Sequence, residues 1–185
     1  MESRKPVVGR LTDSVRRHIM YDRILVAVDG SPTADRALDE AIQLARKLDA
    51  ELVIAHVIDN SYLKYDVGYI DVSRFTEILI ESGKQIAATA KAKAEKAGVR
   101  VKAQVVDDPF GSFDVGLAIE QAASDADAKL VVLGTHGRRG FRRLLLGSVA
   151  ESVTRQSKLP VLLVRAVPPE SEHTITEPLS NLAIA

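Results

Sequence analysis

Apolar residues gather along this chain in short runs that are continuous rather than alternating. Ile24 to Val28, Leu52 to Ile58, Leu130 to Leu133 and Val161 to Val164 are of this kind. Continuous apolarity over four to seven residues suits strands buried on both faces of a parallel sheet. A further run, Val99 to Val106, alternates in part and is expected near a sheet edge. Helical spacing fills the intervals. Ser31 and Pro32 supply an N-cap oxygen and a first-turn proline, and Leu38, Ala41, Ile42, Ala45 and Leu48 follow on one face. A long helix is predicted from Val72 to Ala97, with Phe75, Leu79, Ile86 and Ala90 as its apolar face and Gly98 closing it. Shorter helices are predicted over Val115 to Ala123 and Ser148 to Gln156. The resulting order βαβαβαβαβ calls for right-handed crossovers and an α/β domain with a single doubly wound, five-stranded parallel sheet, helices on both faces. Ligands of such sheets sit beyond the carboxyl ends of the strands, at a switch point.

The domain is expected to span residues 21–166, after a mobile extension over 1–20 and before a flexible tail over 167–185, where Pro168, Pro169 and Pro178 interrupt polar sequence. No internal repeat or second domain is evident. With 25 basic and 25 acidic residues, the chain lacks the basic footprint of a general nucleic-acid binder. It has no cysteine, which excludes disulfides, thiolate metal sites and cysteine nucleophiles. No apolar stretch approaches the ~20 residues that span a bilayer. Residues 1–20 carry five Lys/Arg and two acids but no apolar core or cleavage site, so they do not read as a secretory signal. A cytoplasmic protein is expected.

The most informative stretch runs from Gly134 to Ser148. Glycines stand at the exit of the Leu130 strand and at the entry of the Ser148 helix, and Arg138, Arg139, Arg142 and Arg143 lie between them without an acidic residue. Gly134 and Gly137 can take positive φ and converge successive N–H groups on an anion. Ser148 and Glu151 have capping-box spacing, and the helix start offers unsatisfied N–H groups and about half a positive charge. A polyphosphate gripped from both ends of the loop is the chemistry this pattern suggests, with the arginines neutralising the remainder. The plainer alternative is a set of turn glycines beside a solvated basic face. The loop is not a Walker A sequence, since Leu146 rather than a lysine precedes Gly147 and Ser148, and the spacing Gly134, Gly137, Gly140 departs from the dinucleotide fingerprint.

Gly134, two residues, Gly137, nine residues, then Gly147 and Ser148 resembles the ATP-binding signature of the universal stress protein (UspA) family. The first strand running into Asp29, Gly30 and Ser31, and the second ending at His56, Val57, Ile58 and Asp59, resemble it too, so that the likeness covers about Tyr21 to Arg165. The resemblance implies a Rossmann-like sheet of order 3-2-1-4-5, an adenine nucleotide (ATP, with Mg²⁺) in the cleft, and a homodimer pairing through the last strand, Val161 to Val164. It also implies roles. Ala27 and Asp29 match positions that meet ribose and adenine, Val57 matches one that meets adenine through its backbone, and Gly134, Gly137, Gly147, Ser148 and Val149 match the phosphate loop. Asp29 suits ribose, because a carboxylate at a strand end accepts from its hydroxyls; turn formation is the other reading. The segment from Asp107 to Val115 departs from the family in being longer than its usual compact turn.

Other candidates carry less. His56 reads as a satisfied core histidine, whereas His136 lies inside the glycine loop and fits either a phosphate contact or a plain loop position. No histidine pair or acidic cluster has metal-ligand spacing, so Mg²⁺ is expected to arrive with the nucleotide. No base for activating water stands out. Three functions compete: an ATP-binding stress or signalling module, a slow ATPase or phosphotransferase, and a nucleotide-independent interaction scaffold. The intact signature favours the first.

Overall fold

The strands and helices form in the predicted order, and their boundaries show what tertiary contacts add. The structure, a computed structural model, describes residues 20–60, 72–107, 114–137 and 146–165. Its strands are β1 (Arg23–Ala27), β2 (Glu51–Val57), β3 (Val101–Val106), β4 (Leu130–Gly134) and β5 (Val161–Val164). Its helices are α1 (Pro32–Leu48), α2 (Val72–Lys96), α3 (Val115–Asp125) and α4 (Ser148–Gln156). The strands pair in parallel in the order β3-β2-β1-β4-β5, so β1 and β4 are the central neighbours at which the winding reverses. The partly alternating β3 does lie at an edge.

Successive strand residues feed opposite faces, and each face has its own core. Ile24, Val26, Leu52, Ile54 and Val132 pack under α1 and α2, against Leu38, Ala41, Ala90 and Ala94. Leu25, Val53, Ala55, Val131 and Leu133 pack under α3 and α4, against Ile119, Ala123, Ala150 and Val153. Both faces are covered, which is why the strands read as unbroken apolar runs.

Helix α1 starts as its sequence predicts. Ser31 is the N-cap, its Oγ accepting the Ala34 N–H at 3.2 Å, with Pro32 in the first turn. Gly98 ends α2 with φ of +77°, the left-handed value its position requires. The apolar face of α2 is displaced from the predicted one. Ala90 is buried and Ile86 packs on the core, but Phe75 is 37% exposed, and the buried stripe is Gly83, Ala87, Ala90 and Ala94. The reason is length. At ~1.5 Å per residue α2 is about twice as long as a six-residue strand. Gly83 lies against His56 and Ile58 at the end of β2, so the turns before it project past the sheet. Among the described residues no helix is long and apolar enough to cross a membrane.

Candidate ligand cavity at the carboxyl ends of the strands

The carboxyl end of β1 turns sharply. Asp29 Oδ1 accepts the Ser31 N–H at 2.9 Å, an Asx turn that leads through Gly30 (φ +77°) into α1. Asp29 is therefore a turn-former. Its carboxylate also faces the glycine loop, because a Cβ built on Gly137 would stand 2.8 Å from Asp29 Oδ2.

At the end of β4, Gly134 touches the first turn of α1. A Cβ there would lie 2.8 Å from Thr33 Cγ2 and 3.1 Å from the Thr33 carbonyl. Neither Gly134 nor Gly137 adopts positive φ, contrary to the expectation from sequence. Close approach of neighbouring backbone and side chain requires them, not a left-handed conformation. Gly147 is required likewise: its N–H donates to the Thr135 carbonyl at 2.8 Å, and a Cβ would come within 3.1 Å of that oxygen.

This bond changes how α4 begins. Gly147, with φ −65° and ψ 151°, is the N-cap, and its carbonyl accepts the Glu151 N–H at 2.8 Å. Ser148 is the first helical residue rather than the cap, so the expected capping box does not form. Gly147 has no side chain and so supplies no side-chain cap to α4. The N–H groups of its first turn have no intrahelical acceptor and carry the positive end of the helix dipole.

Register explains the orientation of Val57. The N–H groups of Leu52 and Ile58 donate to β3, at the carbonyls of Arg100 and Val106, whereas Glu51 donates to Asp22 and the Ala55 carbonyl accepts from Val28 on the β1 side. The same alternation turns the peptide groups of Val57 toward the β1 side, where β1 has already ended.

These parts enclose a cavity of about 730 Å³, within the ~300–1,000 Å³ of small-molecule sites. β1, its turn and β2 contribute Ala27, Asp29 and Val57; β4, its loop and α4 contribute Gly134, Gly137, Gly147, Ser148 and Val149. Arg138, like Arg139, Arg142 and Arg143, lies outside the described residues. Sequence reasoning missed Ala55, Asp59, Leu133, Val115 and Ile119, which also line the cavity. Nothing in sequence distinguishes Val115 and Ile119 from ordinary core positions of α3. The one available signal is size: Ala27 and Ala55 are register partners in β1 and β2, and two small residues side by side leave room above the sheet.

His56 is buried, with Nδ1 2.8 Å from the Val28 carbonyl, as a structural histidine should be. His136 lines the cavity; its Nδ1 is 3.0 Å from Thr135 Oγ1, and its buried Nε2 has no hydrogen-bond partner among the described residues. Beside the cavity, burial disfavours the Asp114 carboxylate, but hydrogen bonds from Ser152, the Gly116 and Leu117 N–H groups and Gln156 outweigh it and hold its pKa below the ordinary value. Among the described residues no three His, Asp or Glu side chains stand together as a metal cage.

A doubly wound α/β domain with an apolar cavity at its switch point, bordered by close-packed glycines and the start of a helix, is the class that fold and site define. Comparison with known proteins then places the chain. The sequence pattern of the universal stress protein family matches residues 20–165. The chain is 34% identical over 152 residues to a universal stress protein of Staphylococcus saprophyticus, an alignment covering 80% of this chain and 85% of that one. A crystal structure from the family in Burkholderia pseudomallei is 35% identical, covers 80% of this chain and 98% of its own, and superposes with a TM-score of 0.66. Another universal stress protein, crystallised in complex with cAMP, is 28% identical over 78% of this chain and 97% of its own, with a TM-score of 0.55. The chain belongs to the universal stress protein family.

Proposed function

We propose that this protein binds an adenine nucleotide, ATP with Mg²⁺, and serves as a stress-response or signalling module that works as a homodimer. One observation carries the reading: one cavity joins an apolar chamber to the N-terminus of α4, where the N-cap is a glycine. The base would lie over Ala27 and Ala55 against Ile119 and Leu133, with its polar edge toward the peptide groups of Val57. Asp29 would accept from the ribose hydroxyls, and the phosphates would accept from the N–H groups at the start of α4. The missing Cβ of Gly137 leaves the space in front of Asp29 that a ribose or phosphate would occupy, and that of Gly147 lets the start of α4 close on Thr135. Mg²⁺ would be held mainly by phosphate oxygens and water, as it usually is at such sites. The relative in complex with cAMP supports an adenine nucleotide as the ligand class.

The proposed dimer draws on β5. The Pro160 and Val164 carbonyls accept from Val131 and Thr135 on the β4 side, so the alternation turns the peptide groups of Val161 and Leu163 to the outer edge. Such an edge invites a second strand, and pairing with its own copy would cover it symmetrically.

Heat release of small molecules from the purified protein, followed by chromatography and by calorimetric titration with Mg²⁺–ATP, tests the ligand. Adenine nucleotide in the supernatant, or saturable ATP binding by the emptied protein, is expected. Absence of both would remove the reading.

A further inference from the structure

Asp114 and Ser152 join the two helices that wall the cavity, yet neither lines it. Asp114 is the N-cap of α3, its Oδ1 accepting the Gly116 N–H at 2.8 Å and the Leu117 N–H at 3.4 Å. The same carboxylate accepts the Ser152 hydroxyl, 3.1 Å from Oδ1 and 3.2 Å from Oδ2. Gln156 Nε2 donates to Ser152 Oγ at 2.7 Å. Ser148, Ser152 and Gln156 recur every four residues, so one face of α4 carries all three. Gly116 admits that face: a Cβ there would stand 2.6 Å from Ser152 Cβ. The walls on either side belong to the cavity, Val115 and Ile119 from α3 and Ser148 to Ala150 from α4.

Helix α4 has only nine residues, so it is about 13 Å long. Its first turn is tethered at Gly147 and its second at Ser152. Ala150 and Val153 hold α4 on the sheet, and the Ser152 bond fixes its angle to α3. Loss of that bond lets the first turn shift relative to α3, and hydrogen bonds to a ligand weaken steeply with misalignment.

We infer that Asp114, acting through Ser152, is a positioning residue for the anion-binding end of α4. It fixes the first-turn N–H groups against the Val115 and Ile119 wall, and so sets affinity for the phosphates more than affinity for base and sugar. This rests on the nucleotide reading above. The test is calorimetric titration of the full chain with Mg²⁺–ATP and, separately, with adenosine. Ser152→Ala should lose about tenfold in ATP affinity, the effect of about one well-formed hydrogen bond, and less than about twofold in adenosine affinity. Asp114→Ala, which also uncaps the α3 wall, should lose at least about tenfold for ATP and less for adenosine. Asp114→Asn, whose amide oxygen still caps α3 and accepts from Ser152, should keep the ratio of the parent protein. A general folding defect would lower both affinities together; if Asp114→Ala does not fold, Ser152→Ala carries the comparison. An unchanged ATP-to-adenosine ratio in Ser152→Ala, or equal damage in Asp114→Asn and Asp114→Ala, overturns the inference. Should the parent protein bind neither ligand, the nucleotide reading fails instead, and amide hydrogen exchange decides the positioning. Faster exchange at Glu151 to Val153 in Ser152→Ala, with β1 unchanged, supports the tether; unchanged exchange refutes it.

Discussion

At the scale of single residues, the glycines of the loop do their work by being small. Gly137 is exposed, and its missing side chain leaves the space in front of Asp29. Gly137→Val should therefore lower ATP affinity at least about tenfold while costing about 1 kcal/mol of unfolding free energy, as Asp29 must move from the added side chain. Calorimetry and urea denaturation of the same preparation separate the two effects. Gly134 is the opposite case. Its added methyl would press on Thr33, side chain and backbone both, where α1 meets β4. Gly134→Ala should cost about 1–3 kcal/mol of stability, the usual range for overpacking, read from the shift in urea midpoint at constant slope.

At the scale of elements, charge ties the amino ends of three neighbouring strands. Glu51 of β2 meets Lys102 of β3 at 3.0 Å and Arg23 of β1 at 3.1 Å. The hydrogen bond from Lys102, with the charges of Lys102 and Arg23, lowers the Glu51 pKa against the opposing effect of burial. Because the folded pKa lies below the unfolded one, this stabilisation is fully present above about pH 4.5 and is lost as pH falls through the folded value. Glu51→Gln should therefore melt below the parent protein at pH 7, with the gap closing as pH falls from about 5 toward 3. A gap independent of pH would show that the pair contributes nothing through ionisation. The other element-scale lesson concerns α2. Helical periodicity marked Phe75 and Ile86 alike as core, but only the part of α2 that lies over the sheet has a core to enter.

At the scale of the molecule, the order of the sheet brings segments that are far apart in sequence around one cavity. Asp29 and Gly137 are separated by more than a hundred residues, and they meet because β1 and β4 are paired neighbours at the switch point. The same order leaves β5 at an edge with Val161, Leu162 and Leu163 half-buried. If β5 carries the proposed dimer, Val161→Pro should convert a dimer into a monomer at micromolar concentration in sedimentation. Proline at the first residue of an edge strand removes an outward N–H without disturbing the ladder to β4. A parent protein of monomeric mass would refute the dimer.

Strand positions, helix order and the doubly wound class were legible in the sequence, because burial on both sheet faces and helical amphipathicity write themselves directly into apolar spacing. The loop glycines were legible too, as was Asp29 at the end of a buried strand. What α4 does at its start was not. Ser148 and Glu151 satisfy the capping pattern locally, but Gly147, bonded to Thr135, takes the cap position and makes Ser148 the first helical residue. Val115 and Ile119 likewise became cavity walls only when α3 packed beside α4. Local sequence sets which residues are apolar and where the chain can turn. Which of those residues face each other, and which helix end borders the cavity, depends on contacts between distant segments that no local pattern records.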